Sequence, residues 1–319
     1  MTDIATSRTA VRPDPAAAKA RGEMLLEVTG LTLKFGGVTA VGGLTMRVYP
    51  GEIVSVIGPN GAGKTSAFNC VTGFYRPTSG SIKFRGLDIA RRRPSTITRL
   101  GVARTFQNLR LFQDMTILEN VKTGMHTDLK QTWFDALLHT PRFRRTESLC
   151  DRLAHGWIRF VGFEGDPEAL VSSLPYGEQR RVEIARALAT SPELLLLDEP
   201  AAGLNHNEKQ RLVALIRRIR DLGVSIVLVE HDMGLVMDIS ERIIVLNYGK
   251  EIADGTPAEI RADPLVIEAY LGADADAATA DGGDETSGSD IDGAGTDEAA
   301  AATAEHGAAP VAGEEGGPA

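Results

Sequence analysis

Gly58-Pro59-Asn60-Gly61-Ala62-Gly63-Lys64-Thr65 fills every fixed position of the pattern G-x-x-x-x-G-K-[ST]. Such a loop turns backbone N–H groups toward one point, and the positive end of a following helix completes a site for phosphate. Lys64 is then expected to reach the β- and γ-phosphates of a nucleotide, and Thr65 to offer its hydroxyl to Mg²⁺. A second chemical group is Asp198-Glu199, two carboxylates that close the apolar run Leu194-Leu195-Leu196-Leu197. Carboxylates at the end of a buried strand lose their hydration, which is costly unless a cation stands beside them. Mg²⁺ on a bound nucleotide meets that need, so Asp198 is expected to serve the metal and Glu199 the attacking water. Glu230-His231 follows another apolar run, and His231 reads either as a structural histidine or as a group working beside the acids.

These side chains converge only if the right elements carry them. Glu52–Ile57 is short, β-branched and nearly all apolar, as a strand buried on both faces should be. Lys64–Thr72 continues as a helix, with Gly73 placed to end it. Val224–Val229 repeats the buried-strand pattern, and between it and Asp198 the set Leu212, Leu215, Ile216, Ile219 and Leu222 marks a helix over Asn207–Asp221. Upstream, residues 24–28, 31–35 and 44–48 read as short strands separated by Gly36-Gly37 and Gly42-Gly43, a hairpin pattern. Phe35 stands at a strand end, either as packing or as a platform for a ligand. Ser81–Phe84 and Gly101–Phe106 are strand-like, the latter leading to Gln107. Between about 110 and 172 the spacing turns helical, an inserted subdomain. Leu174–Glu178 then opens an amphipathic helix that begins at a glycine, with Val182, Ala185 and Leu188 on its apolar face. That helix is either scaffold or, through its glycine, a second phosphate-facing position. Arg242–Leu246 and Glu251–Ala253 form a hairpin across Asn247–Lys250, and a helix-like stretch from Pro264 to Leu271 ends at Gly272.

Charge is uneven along the 319 residues. Residues 273–319 hold 12 Asp or Glu and no Lys or Arg, so the overall −9 leaves +3 on residues 1–272. The body is slightly basic, and that weak balance provides no electrostatic footprint for nucleic acid. The acidic tail is too poor in apolar residues to build a core; it is expected to be disordered, as a solubilising extension or as a regulator folding back on the body. The first 22 residues carry Arg8, Arg12, Lys19 and Arg21 without an apolar stretch, so they read as a disordered arm and not as a signal peptide. No apolar run approaches the roughly 18–20 residues needed to span a bilayer. Cys70 and Cys150 are expected to be free thiols in a cytosolic protein.

Taken in order, these motifs resemble the ATP-binding subunit of an ABC transporter over roughly residues 24–272. The resemblance implies an α/β P-loop NTPase core of the ABC type, with an N-terminal antiparallel β subdomain and an inserted helical subdomain at about 110–190. It also implies roles for residues. Phe35 stacks on adenine; Gly58, Asn60, Gly61, Ala62, Gly63, Lys64, Thr65 and Ser66 hold phosphates; Thr65, Gln107 and Asp198 position Mg²⁺. Glu199 is the catalytic base, and His231 holds the γ-phosphate. Leu174, Pro175, Tyr176, Gly177 and Glu178 correspond to the signature loop, which in this family acts on the nucleotide of a second subunit, so two chains, identical or different, sandwich two ATP molecules. Membrane permease subunits dock near Gln107 and the helical insert at the cytoplasmic face, and a solute-binding protein delivers cargo to them.

Two departures from the family pattern narrow the branch. Pro175 and Tyr176 replace the signature serine and its first glycine, and Asn205 replaces an aspartate at the subunit interface. The spellings Leu174–Arg181 and Pro200–Asn205 are similar to ATP-binding subunits of high-affinity branched-chain amino acid importers, as is the stretch from Gly255 to Gly272. Urea, short amides or a lipid-linked cargo are the alternatives within transport. A soluble ABC ATPase is the alternative outside it, although such proteins usually carry two cassettes or a long coiled coil, and this chain has one cassette and no sustained heptads. A GTPase would need an N-K-x-D segment, which the sequence lacks.

Overall fold

A computed structural model describes residues 22–127 and 141–270, together with Pro15. The expected arm, the acidic tail and residues 128–140 of the expected helical insert lie outside the described residues, Pro15 and Gly22 excepted.

Two sheets organise the chain. The first is antiparallel, in the order β2 (Val38–Val48), β1 (Leu26–Phe35), β4 (Ser79–Phe84), β5 (Leu87–Asp88). The second has six strands in the order β10 (Lys250–Gly255), β9 (Arg242–Asn247), β3 (Ile53–Ile57), β8 (Ser225–Val229), β7 (Leu194–Asp198), β6 (Val102–Arg104). All of its pairings are parallel except β9 with β10. Parallel strands need crossovers that cover both faces, which is why β3, β7 and β8 are buried along their whole length.

The period-2 alternation of β7 feeds two cores. Leu194 and Leu196 point to the side where Phe68 and Val71 meet Leu26, Val28 and Leu31 of the antiparallel sheet. Leu195 and Leu197 point to the other, where Val182, Ile184 and Leu188 meet Leu212, Ile216 and Ile219. All four leucines are fully buried, and each burial stabilises the fold by about 1.5–3 kcal/mol. The strand end that carries Asp198 is thereby clamped from both faces.

Helices α1 (Lys64–Val71) and α2 (Pro94–Leu100) precede β6. Then come α3 (Ile117–Thr123), α4 (Pro141–Phe160) and α5 (Tyr176–Ala189), which pack on one another. Helices α6 (His206–Asp221) and α7 (Met233–Ile239) follow β7 and β8, and α8 (Pro257–Ala262) is followed by a helical stretch at residues 264–270.

The structure corrects several sequence expectations. The three short N-terminal strands are two long ones. Gly36-Gly37 forms the turn between them, but Gly42-Gly43 lies inside β2, where Gly43 at φ 82 lets the ladder slip at a bulge and continue. The helix expected to begin at a glycine begins at Tyr176 with Pro175 as its N-cap, leaving Gly177 in the first turn. Leu222 is an exposed C-cap of α6 and not part of its apolar face. Three short helices, α2, α7 and α8, are additional; the sequence carried a legible signal for α8, because Thr256 and Glu259 form a capping box around Pro257.

Candidate active site

The glycine loop runs from the C-terminal end of β3 into α1. Gly63 caps that helix at φ 93, and no side chain caps it, so no side chain competes with a ligand for its first N–H groups. A side-chain carbon at Gly58 would lie 2.0 Å from the Leu246 carbonyl oxygen, and one at Gly63 would lie 2.3 Å from that of Ala40. The loop therefore threads between β9 and β2, where only glycine fits. Ala62 is buried, Asn60, Gly61 and Thr65 are exposed, and Ser66 is half-buried. Lys64 Nζ donates to the carbonyl oxygens of Gly58 at 2.6 Å and Pro59 at 2.9 Å. Burial pushes the pKa of the Lys64 ammonium down, while the negative charges of Glu199 and Asp198 act against that shift.

Because β6 runs parallel to β7 with Arg104 opposite Leu196, Arg104 reaches the end of the neighbouring strand. Its Nη2 donates to Asp198 Oδ2 at 2.7 Å, with both side chains at most 5% exposed. Its Nη1 donates to Asn69 Oδ1 at 2.6 Å on α1, and its guanidinium lies 5.0 Å from the Phe106 ring centroid. The cation that the desolvation argument demanded at Asp198 is thus supplied by the protein, so burial alone is no argument for Mg²⁺ there.

Glu199 is a non-glycine residue at φ 45, a left-handed conformation that costs about 1–2 kcal/mol. Its backbone N–H is held by the Val229 carbonyl at 2.9 Å, and its Oε2 accepts from Gln107 Nε2 at 2.8 Å. His231 Nδ1 lies 3.9 Å from the same oxygen and is largely exposed. Glu230, which the sequence reading assigned no role, is buried. Its Oε1 accepts from Ala201 N at 2.7 Å and its Oε2 from His231 N at 3.2 Å. Burial pushes the Glu230 carboxyl pKa up, and these two N–H donors oppose the shift.

An open cavity of about 340 Å³ is lined by Thr65, Asn69, Tyr75, Arg104, Gln107 and Asp198, among others. It brings together the three residues expected at the metal. A hydroxyl, a carboxylate and an amide whose nitrogen is already engaged with Glu199 make a hard-oxygen donor set that suits Mg²⁺ bound jointly with phosphates. Among the described residues there is no cluster of three or more His, Cys, Asp or Glu to hold a metal. Phe35 is half exposed and meets Tyr75 edge to face at 5.2 Å, which puts it at the rim of this region. A larger cavity of about 460 Å³, lined by Met24, Pro50, Lys83 and Arg85 among others, contains none of these groups.

Leu174–Glu178 lies at the start of α5, outside the lining of the 340 Å³ cavity. Tyr176 is 42% exposed and its hydroxyl accepts from the buried Arg180. Asn205 caps α6: its side chain accepts from Glu208 N at 3.0 Å, and its own backbone N–H donates to Glu208 Oε2 at 2.9 Å.

Residues 41–202 match the family described as ABC transporter. The chain is 50% identical over 249 residues to the high-affinity branched-chain amino acid transport ATP-binding protein LivG of Escherichia coli K12, covering 78% of this chain and 98% of that protein. The chain belongs to the ABC transporter ATP-binding family. BraF of Pseudomonas aeruginosa, a high-affinity branched-chain amino acid transport ATP-binding protein, is 49% identical over the same shares. Residues 250–276 match the family described as branched-chain amino acid ATP-binding cassette transporter. A nucleotide-free ATP-binding cassette from an ABC transporter superposes with a TM-score of 0.68 at 27% identity, covering 77% of this chain and 98% of that one. The ADP conformation of MJ1267, an ATP-binding cassette of an ABC transporter, reaches 0.68 at 27% identity, with 78% and 99% covered. The expected P-loop α/β fold and its ATP-binding, ATP-hydrolysing class stand with this membership.

Proposed function

We propose that this chain is the ATP-hydrolysing subunit of an importer of branched-chain amino acids. The observation that carries its hydrolytic part is the 2.8 Å contact of Gln107 Nε2 with Glu199 Oε2, beside the cavity shared by Thr65, Gln107 and Asp198. The glycine loop and the first turn of α1 hold the phosphates of ATP, with Lys64, Thr65 and Ser66 as side-chain partners. Phe35 stacks on the base. Thr65, Asp198 and Gln107 would hold Mg²⁺, and the ion would supply positive charge against the phosphates. Glu199 orients water and accepts its proton as it attacks, and His231, beside Glu199, holds the γ-phosphate.

The site is half of a composite. A second cassette, identical or different, contributes its counterpart of Leu174–Glu178, with Asn205 at the shared surface. None of the described helices is long and apolar enough to cross a membrane. In this reading permease subunits hold the chain at the cytoplasmic face and a solute-binding protein brings them cargo. Support for the cargo comes from the likeness to LivG and BraF over nearly their whole length.

The deciding experiment reconstitutes this chain with its permease subunits and solute-binding protein and measures ATP hydrolysis against added solute. Leucine, isoleucine or valine should stimulate it; stimulation by urea alone would overturn the cargo. Co-purification with ribosomes or DNA in place of membrane proteins would overturn transport.

A further inference from the structure

Arg180 is a charged residue buried to 1% exposure in the first half of α5. Its Nη1 donates to the Phe106 carbonyl oxygen at 2.7 Å and to Glu183 Oε2 at 2.9 Å. Its Nη2 donates to the Gln107 carbonyl oxygen at 2.8 Å and to Tyr176 Oη at 2.7 Å. Each terminal nitrogen of the guanidinium therefore takes one of two consecutive carbonyls of the turn after β6 and one side chain of α5, while Nε has no partner. The side chain of Gln107 holds Glu199. Tyr176 lies over the loop after β7, where a side-chain carbon at Gly203 would come within 3.4 Å of its ring. The result is one hydrogen-bonded path, Glu199 to Gln107 to Arg180 to Tyr176.

Burying a guanidinium among backbone carbonyls costs several kcal/mol of hydration unless its donors are met. An ammonium at the same place would lack the planar fork that reaches several acceptors at once. Scaffolding needs no such group, since Val182, Ile184 and Leu188 of the same helix already anchor it in the core. Nor does scaffolding need the tyrosine hydroxyl, on a side chain that is 42% exposed.

We propose that Arg180 is a positioning residue that makes the 106–107 turn and the Tyr176 end of α5 move as one, and so couples the two nucleotide sites of the assembled ATPase. The proposal rests on the reading that Leu174–Glu178 faces the nucleotide of a second cassette. A change at Glu199 in one site is passed to Gln107 and through Arg180 to the tyrosine that meets the other nucleotide. Cooperativity between the sites is the expected readout.

The test uses the reconstituted transporter carrying Tyr176→Phe, which removes one hydroxyl and leaves the apolar face of α5 unchanged, and separately Arg180→Lys. ATP titrations of hydrolysis are expected to show the Hill coefficient falling toward 1 in both, with kcat lowered about tenfold, the effect of losing one charge-assisted hydrogen bond. ATP affinity of the isolated Tyr176→Phe chain and its melting temperature should match wild type. A Tyr176→Phe transporter that keeps the wild-type Hill coefficient and a kcat within about twofold would overturn the coupling, whatever Arg180→Lys does to folding. The underlying reading has its own readout: with ATP added, the Glu199→Gln transporter should hold two cassettes, either two copies of this chain or this chain and a second kind, and a complex that holds a single cassette would overturn the two-site arrangement itself.

Discussion

Arg104 and Asp198 form a buried ion pair, with Nη2 2.7 Å from Oδ2 and both side chains at most 5% exposed. Removing one member of such a pair strands the other charge without water. Arg104→Leu is therefore expected to cost about 3–5 kcal/mol in urea unfolding. Asp198→Leu placed on that background should recover part of the loss, because it removes the stranded carboxylate. A single-variant cost below about 1 kcal/mol would mean that the pair is not what holds β6 against β7.

Glu199→Gln keeps the shape of the side chain and removes its basicity. Turnover should fall by about 10²–10⁴ while nucleotide binding persists, read by a fluorescent ATP analogue alongside phosphate release. Near-normal hydrolysis would remove Glu199 from the base role.

Two glycines of the same loop should respond differently to alanine. At Gly63, φ 93 is combined with a Cβ 2.3 Å from the Ala40 carbonyl oxygen, whereas at Gly61, φ 77, nothing lies within 4 Å. Gly61→Ala should cost about 1–2 kcal/mol for its left-handed backbone alone. Gly63→Ala must displace backbone and should lose nucleotide binding altogether; equal behaviour of the two in binding and melting would refute the packing argument.

Burial raises the Cys70 thiol to about 11 and also pushes the Cys150 thiol up. The thiolate is the reactive form, so neither cysteine should be alkylated by iodoacetamide at neutral pH in the native protein, and both should be in denaturant. Mass spectrometry of the labelled chain reads the difference directly.

Lys209 Nζ donates to Asp232 Oδ2 at 2.6 Å, which lowers the Asp232 carboxyl below its ordinary 3.8 and raises the Lys209 ammonium above its ordinary 10.5. A carboxyl depressed on folding stabilises above its unfolded pKa, and that contribution is lost as pH falls through the lower folded value. The lysine contributes below 10.5 and its share disappears as pH rises through its raised folded value. Both partners retain solvent contact, so the pair is worth at most about 1 kcal/mol. Lys209→Met should move the Asp232 titration, followed by NMR, back up toward 3.8; an unmoved titration would show that the contact does not persist in solution.

Much of the site was legible without coordinates because its motifs are local. The spacing of Gly58, Gly63, Lys64 and Thr65 dictates a loop and helix start, and the apolar run before Asp198 and Glu199 dictates a buried strand, whatever the rest of the chain does. Local patterning was less reliable where a left-handed glycine permits two outcomes, as at Gly43, which reads as a break and forms a bulge. Arg180 read as one of several arginines on an amphipathic helix, and periodicity alone could not single it out as the buried one.

By itself, then, the sequence determined the phosphate loop, the two carboxylates, the order of elements between them and the family to which they belong. Tertiary structure alone decided which side chain answers which charge. Arg104 meets Asp198 across 94 residues and Gln107 meets Glu199 across 92, because β6 pairs in parallel with β7 in one register. No spacing along the chain encodes that register. Four consecutive leucines suit either core, so the register is visible only in the fold, where it sets Arg104 beside Asp198 and leaves neither buried charge unpaired.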